Sequence, residues 1–260
     1  MSISDFSRVN MPHICQYDPA IPCLKDKNET NKPGLTFCAP VTAAKTLIGR
    51  AKADPKFQML VPSQGSDSEE LYRSRLINQL ALDMGTSCDL NDPNVGTTPK
   101  QYIDGLEKFL VDRNFRYSAD SKWHGWGAGE IDSKRKSDPI SKQDLRVDLA
   151  NPNKDLSCHI GWYQDAKNGI WFRKGGHFVA GKGIRNNGIV SIEDPSPRSE
   201  GKTTEIKPEE ISEGVLNNGE KDQTGAQGYM MLHGMKAKVA DSKPTTGILD
   251  GVFSFGIERS

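Results

Sequence analysis

The sequence predicts an α+β fold in which helices come first and an antiparallel sheet follows. Two observations carry this prediction. Residues 38–149 contain several stretches with helical apolar spacing, and short apolar stretches bounded by Gly, Asn or Pro follow Asn151. The chain has 260 residues, enough for one large domain or two small ones. Prolines and polar residues interrupt any period before Cys38, so we expect an irregular arm over residues 1–37 and one domain over residues 38–260.

Four helices are expected, and the first begins at Cys38. Pro40 is compatible with this helix because it lies in the first turn, where its missing N–H is not needed. The apolar positions of this helix follow the spacing of one buried face: Val41, Ala44, Leu47, Ile48 and Ala51. The other three helices are predicted over about Ser68–Met84, Thr98–Asn114 and Ser141–Leu149.

Residues 119–140 are rich in Ser, Gly, Lys and Asp, and we expect them to form an exposed excursion. After Asn151 the chain favours short strands, and the turn sequence Asn186-Asn187-Gly188 joins two of them as a hairpin. The predicted strands are Ser157–Gln164, Ile170–Arg173, His177–Ile184, Ile189–Glu193, Gly228–Leu232 and Ile248–Ile257.

The overall composition excludes some classes of protein. Lys and Arg total 34 and are balanced by 34 Asp and Glu, which argues against a nucleic-acid binder that neutralises phosphates. No stretch approaches the roughly 18 consecutive apolar residues of a membrane span, so none is expected. The 25 Gly and 15 Pro, together with four Trp and nine Phe, describe a loop-rich globular protein with a modest core.

Cys38 is the first candidate for catalysis. At the amino end of a helix, unpaired backbone N–H groups and the helix dipole favour a thiolate. The small residue Ala39 follows, so the backbone N–H of Cys38 could approach a substrate oxygen. The alternative is a buried structural cysteine, which is a common fate of this residue type.

His177 is the candidate partner of that thiol. It begins a strand directly after Gly175-Gly176, which permit close approach of another group. The alternative is an ordinary strand-end histidine. His159 is a weaker candidate, because its neighbour Cys158 points to the opposite face of the same strand and the two cannot form a dyad.

Asp194 is the candidate third member. It ends the strand that the hairpin pairs with the His177 strand, and an acid there could accept the imidazole Nδ1–H and fix the tautomer. The alternative is a plain Asp-Pro turn with Pro195.

These motifs together resemble the C39-like branch of the papain-like cysteine peptidases. The resemblance covers about residues 11–197. It consists of Cys-x-Pro opening a helix, Gly-His-Phe-Val opening a strand, and Asp-Pro ending the next strand. The 139 residues between Cys38 and His177 also fall within the window of roughly 130–150 for papain-type enzymes. The sequence departs from the family at Ala39, where Gly is usual.

The resemblance implies a papain-like fold, with a helical half that carries the cysteine followed by an antiparallel sheet that carries the histidine and the aspartate. It implies Cys38 as nucleophile, His177 as general base and Asp194 as the residue that orients the imidazole. Residues 11–16 are similar to the family's opening strand and nominate Gln16 for the oxyanion hole, although Gln16 precedes Cys38 by 22 residues, longer than expected.

The implied activity is hydrolysis of peptide or isopeptide bonds in a peptide or protein substrate, without a metal or an organic cofactor. Two alternatives stay open. One is a catalytically silent binding module of the same fold. The other is acyl transfer, deamidation or transglutamination by the same triad. The sequence does not specify the oligomeric state.

The five cysteines also leave two alternatives. No C-x-x-C pair is present, so a structural zinc site is not expected. If Cys38 is kept free for catalysis, Cys15–Cys23 and Cys88–Cys158 could form disulfides in an extracytoplasmic protein whose signal peptide has been trimmed. Alternatively, all five are reduced thiols of a cytosolic protein.

Overall fold

The computed structural model describes residues 5–16, 36–61, 68–87, 95–126, 131–133, 135–196, 203–219, 222–237 and 244–260. These residues form two compact units. We call sheet unit the described residues within Met1–Ser7, Ser121–Ile192 and Glu205–Ser254. We call helical unit those within Arg8–Asp120, Glu193–Thr204 and Phe255–Ser260.

All four predicted helices are confirmed. They are α1 (Cys38–Ala53), α2 (Glu69–Asp83), α3 (Pro99–Val111) and α4 (Lys142–Ala150), and a 3₁₀ turn covers Pro55–Leu60. The side chains of Ser68, Thr98 and Ser141 each accept a hydrogen bond from a backbone N–H three residues later, which satisfies a donor of the first turn. None of the helices in the described ranges combines the length and the apolar composition that a membrane crossing requires.

In the helical unit, α1, α2 and α3 share a core. Helix α1 is buried almost all round, and α3 packs one apolar face inward. Gly105 of α3 lies against the backbone of Met84, and a Cβ at Gly105 would overlap it. A short two-stranded ladder, β2 (Phe115–Tyr117) with β13 (Ile257–Arg259), completes this unit.

The remaining strands belong wholly or mainly to the sheet unit, and each predicted strand has a counterpart among them. They are β1 (Phe6–Ser7), β3 (Lys122–Gly125), β4 (Lys136–Ser137), β5 (Asp155–Asp165), β6 (Ile170–Ile184), β7 (Val190–Glu193), β8 (Thr203–Glu210), β9 (Val215–Asn217), β10 (Gln223–Gly225), β11 (Met230–Ala237) and β12 (Thr245–Phe255).

Six of these strands close into a barrel. Strands β6, β7, β8, β11 and β12 are neighbours in that order, and β5 pairs with both β12 and β6. The predicted papain-like α+β arrangement, a helical half followed by an antiparallel sheet, is therefore wrong. The molecule is mainly a closed six-stranded antiparallel barrel with additional strands and few helices.

The physical reason for this error is that closure depends on pairing between distant strands. Strands β5 and β12 are separated by about 80 residues, and no local apolar pattern reports that pairing. Strand β8 also lacks a clear signal, because only two of its eight residues are buried. Strand β6 runs unbroken through Gly175 and Gly176, where the sequence suggested two separate strands.

The barrel encloses an apolar core, and α4 adds Leu145 and Leu149 to it. Alternate residues of β5 belong to this core, among them Cys158 and Ile160. Because strand residues alternate between faces, His159 points away from the core.

The predicted exposed excursion over residues 119–140 is also wrong in its first part. Trp123 of β3 is fully buried, and β3 pairs with β12. Its ring lies against Gly251, where a Cβ would overlap it. The polar composition of this stretch gives no sign that Trp123 is part of the core.

Candidate active site

Cys38 is the first residue of α1 and is partly exposed. Phe37 precedes it and contributes no side-chain cap, and the first turn of this described helix contains no acidic residue. The positive end of the α1 dipole is therefore not neutralised by a carboxylate of its own turn, which favours an anion at this position. A cysteine so placed is suited to react as a thiolate.

Neither of the other described cysteines begins a helix. Cys158 is buried in the barrel core, and burial raises the pKa of its thiol to about 12. Cys15 is partly exposed in the helical unit. Both are free thiols. Cys23 and Cys88, their partners in the disulfide alternative, lie outside the described residues, so the pairings Cys15–Cys23 and Cys88–Cys158 stay untested.

Asp194 and Gln16 lie close together in the helical unit. The backbone N–H of Gln16 donates to the carbonyl of Pro195 at 2.8 Å. The Asp194 carboxylate accepts hydrogen bonds from the backbone N–H and the hydroxyl of Ser196, at 2.8 and 2.9 Å. Both Gln16 and Asp194 are buried, so the structure brings together two candidate residues that are 178 positions apart.

His177 lies in the sheet unit, on β6 opposite Ile160 of β5. It is 8% exposed, and the Trp162 ring stacks on it with centroids 6.2 Å apart and an interplanar angle of 23°. Cys38, Gln16 and Asp194 belong to the helical unit. The pairing of His177 with Cys38 and with Asp194 therefore stays a prediction.

Glu193, the residue before Asp194, is the centre of a buried ionic cluster that we call the Glu193 cluster. Lys45 Nζ lies 3.5 Å from Glu193 Oε2, and both side chains are fully buried. His13 Nδ1 donates to the same oxygen at 3.0 Å, and the Thr203 hydroxyl donates to Oε1 at 2.6 Å. Burial lowers the pKa of Lys45 to about 8, against the opposing effect of Glu193.

The Glu193 cluster links α1 to the segment that carries Asp194. Lys45 lies on α1 two turns after Cys38, and Glu193 directly precedes Asp194. The sequence carried a signal for it, because Lys45 occupies a position on the apolar stripe of α1, between Val41 and Ile48. A lysine on a buried stripe requires a buried acid.

A second cluster, which we call the Asp250 cluster, lies in the sheet unit. Asp250 of β12 accepts hydrogen bonds from His159 Nδ1 at 2.7 Å, the Tyr163 hydroxyl at 2.9 Å and Arg173 Nε at 3.1 Å. Arg173 Nη2 also lies 3.3 Å from His159 Nε2. No local sequence signal indicates this cluster, because its members come from three strands that only the barrel brings together.

Within the described ranges, no group of three or more His, Cys, Asp and Glu side chains is arranged to hold a metal ion. No protein-family model matches the sequence. No curated protein matches it either.

Proposed function

We propose that this protein is a cysteine-dependent hydrolase of peptide or isopeptide bonds, with Cys38 as nucleophile, His177 as general base and Asp194 as the residue that orients His177. The observation that supports the proposal is the place of Cys38: it is partly exposed and is the first residue of a well-buried helix whose first turn contains no acidic residue. A barrel fold leaves this chemistry available, since the same catalytic groups recur on unrelated folds.

The reaction would run in two halves. The Cys38 thiolate attacks the carbonyl carbon of the substrate, and the C–N bond breaks as His177 gives its proton to the leaving amine. This leaves a thioester on Cys38. A water molecule, deprotonated by His177, then attacks the thioester and releases the carboxylic acid and the free thiol.

The remaining candidates would stabilise the negative charge of the oxyanion and the orientation of the His177 imidazole. The backbone N–H of Cys38 and the side chain of Gln16 would donate to the oxyanion. Asp194, whose carboxylate is already held by Ser196, would accept the Nδ1–H of His177 and keep Nε2 available for proton transfer.

The test is turnover by matched cysteine variants. Wild type, Cys38→Ala and Cys15→Ser are incubated with a fluorogenic peptide library and an isopeptide-linked peptide pair, and the products are identified by mass. We expect cleavage by wild type and by Cys15→Ser, and a loss of about 10³-fold or more in Cys38→Ala.

The other outcomes contradict the proposal in distinguishable ways. Equal turnover by Cys38→Ala would remove Cys38 as nucleophile. Transfer or deamidated products that depend on Cys38 would favour the acyl-transfer alternative. No turnover and no thioester adduct with any substrate would favour the silent binding module.

A further inference from the structure

The Asp250 cluster lies directly behind the segment of β6 that carries His177. His159 is the cross-strand partner of Phe178, and their ring centroids are 4.7 Å apart. His177 itself pairs with Ile160, the next residue of β5. Because residues alternate along a strand, His159 and His177 point to opposite faces of this strand pair.

The hydrogen bonds of the Asp250 cluster fix the tautomer of His159. A guanidinium can only donate, so His159 Nε2 accepts from Arg173 and Nδ1 carries the proton that is given to Asp250. Both ring nitrogens are therefore engaged, and the ring is held from two sides. A ring that is fixed in this way can hold the residues packed against it in place.

Gly176 shows how closely β6 approaches this ring. A Cβ at Gly176 would lie 2.7 Å from His159 Nε2 and 2.5 Å from Arg173 Nη2, closer than side-chain atoms tolerate. Gly161 of β5 is constrained in the same way, since its Cβ would overlap the Asp250 carboxylate. The absence of a side chain at Gly176 therefore allows β6 to pack closely against the Asp250 cluster.

We propose that His159, fixed by Asp250 and Arg173, is a positioning residue for His177, because it contacts the residues on both sides of His177, Gly176 and Phe178, from behind the strand. This inference rests on the proposed function, in which His177 is the general base. It assigns a role to a histidine that touches no substrate.

The test uses two substitutions of His159 and one control. His159→Leu removes both hydrogen bonds, whereas the shorter side-chain amide of His159→Asn can still donate to Asp250. Leu232→Ala is the matched control, since it also disturbs a buried residue of the barrel but on the core side. The thermal midpoint of each variant is measured first, and kinetics are recorded at a temperature where all are folded.

We expect His159→Leu to lower kcat about 10- to 100-fold with KM within about twofold. This is the loss typical of removing a residue that orients a metal-binding side chain from behind. His159→Asn should recover most of this loss, and Leu232→Ala should keep kcat near wild type. An equal loss in His159→Leu and Leu232→Ala, or no loss in His159→Leu, would overturn the inference.

A second measurement separates this inference from the proposed function. The ¹⁵N resonances of the His177 imidazole are recorded against pH in wild type, His159→Leu and Leu232→Ala. The inference predicts altered His177 resonances and midpoint in His159→Leu alone. If wild type has no turnover, the proposed function fails, but altered resonances would still show that His159 positions His177. Unchanged resonances in His159→Leu would overturn the inference whether or not the protein is an enzyme.

Discussion

Asp250 in the sheet unit and Lys45 in the helical unit are both buried ionisable residues, but their surroundings act on them in opposite senses. Burial acts to raise the pKa of Asp250, yet His159 and Arg173 outweigh it, and the pKa of this carboxyl lies below its usual value. Burial prevails at Lys45, whose pKa falls to about 8 although Glu193 lies 3.5 Å away. The charged form is favoured in the first case and disfavoured in the second.

The difference between Asp250 and Lys45 shows that a buried charge stays favourable only where enough oppositely charged or hydrogen-bonding groups surround it. Three donors converge on the Asp250 carboxylate within 3.1 Å, so its desolvation is offset. The carboxylates of Glu193 and Asp194 do not offset the desolvation of Lys45 to the same degree. The Asp250 cluster therefore stabilises the fold above the ordinary Asp pKa, whereas charged Lys45 lowers its stability.

The largest expected effect comes from removing the charge of Asp250. Asp250→Asn leaves the largely buried Arg173 guanidinium without its counterion, and we expect the free energy of unfolding to fall by about 3–5 kcal/mol. The measurement is urea denaturation at pH 7. The exposed Arg116–Glu258 pair provides the control, since Glu258→Gln should cost less than about 1 kcal/mol. Equal losses in both variants would contradict the distinction.

The next effect concerns Lys45 and has a defined sign. Its pKa is lower in the folded state than in the unfolded chain, so between about pH 8 and 10 the unfolded state binds more protons and stability rises with pH. We expect a rise of about 2 kcal/mol over that range, before buried tyrosines begin to titrate. Denaturation of Lys45→Met at pH 7, 8, 9 and 10 should show this rise abolished. The same rise in both proteins would assign it to another group.

The smallest effect compares two adjacent glycines. Gly176→Ala should lower the free energy of unfolding by about 1–3 kcal/mol, because the new methyl group meets His159 and Arg173. Gly175→Ala places its Cβ 3.8 Å from the Trp162 ring, an ordinary contact. We expect it to change stability by less than about 1 kcal/mol. If Gly175→Ala proved the more damaging, the contact between β6 and the Asp250 cluster would be wrongly assigned.

Local features of the structure were predictable from the sequence, and long-range features were not. The capping hydrogen bonds of Ser68, Thr98 and Ser141 are formed within one turn, and these residues begin three of the helices that the sequence predicts. Closure of the barrel through β5 and β12 depends on pairing across most of the second half of the chain, which no local pattern contains.

The same contrast applies to the candidate residues. The position of Cys38 at a helix start follows from local spacing, and it is confirmed. Lys45 had a readable signal, a charge on an apolar stripe. His159 had none, because its partners Asp250 and Arg173 reach it only through the barrel.

Whether Cys38 is an activated nucleophile is tested most directly by the rate of its alkylation by iodoacetamide as a function of pH. Labelling is mapped by mass in wild type and in His177→Ala, with Cys15 as the partly exposed reference thiol. We expect Cys38 to react at least about 10-fold faster than Cys15 at pH 6 in wild type, and His177→Ala to remove most of this advantage. Equal rates for Cys38 and Cys15 at pH 6, both increasing with pH as ordinary thiols do, would contradict this expectation.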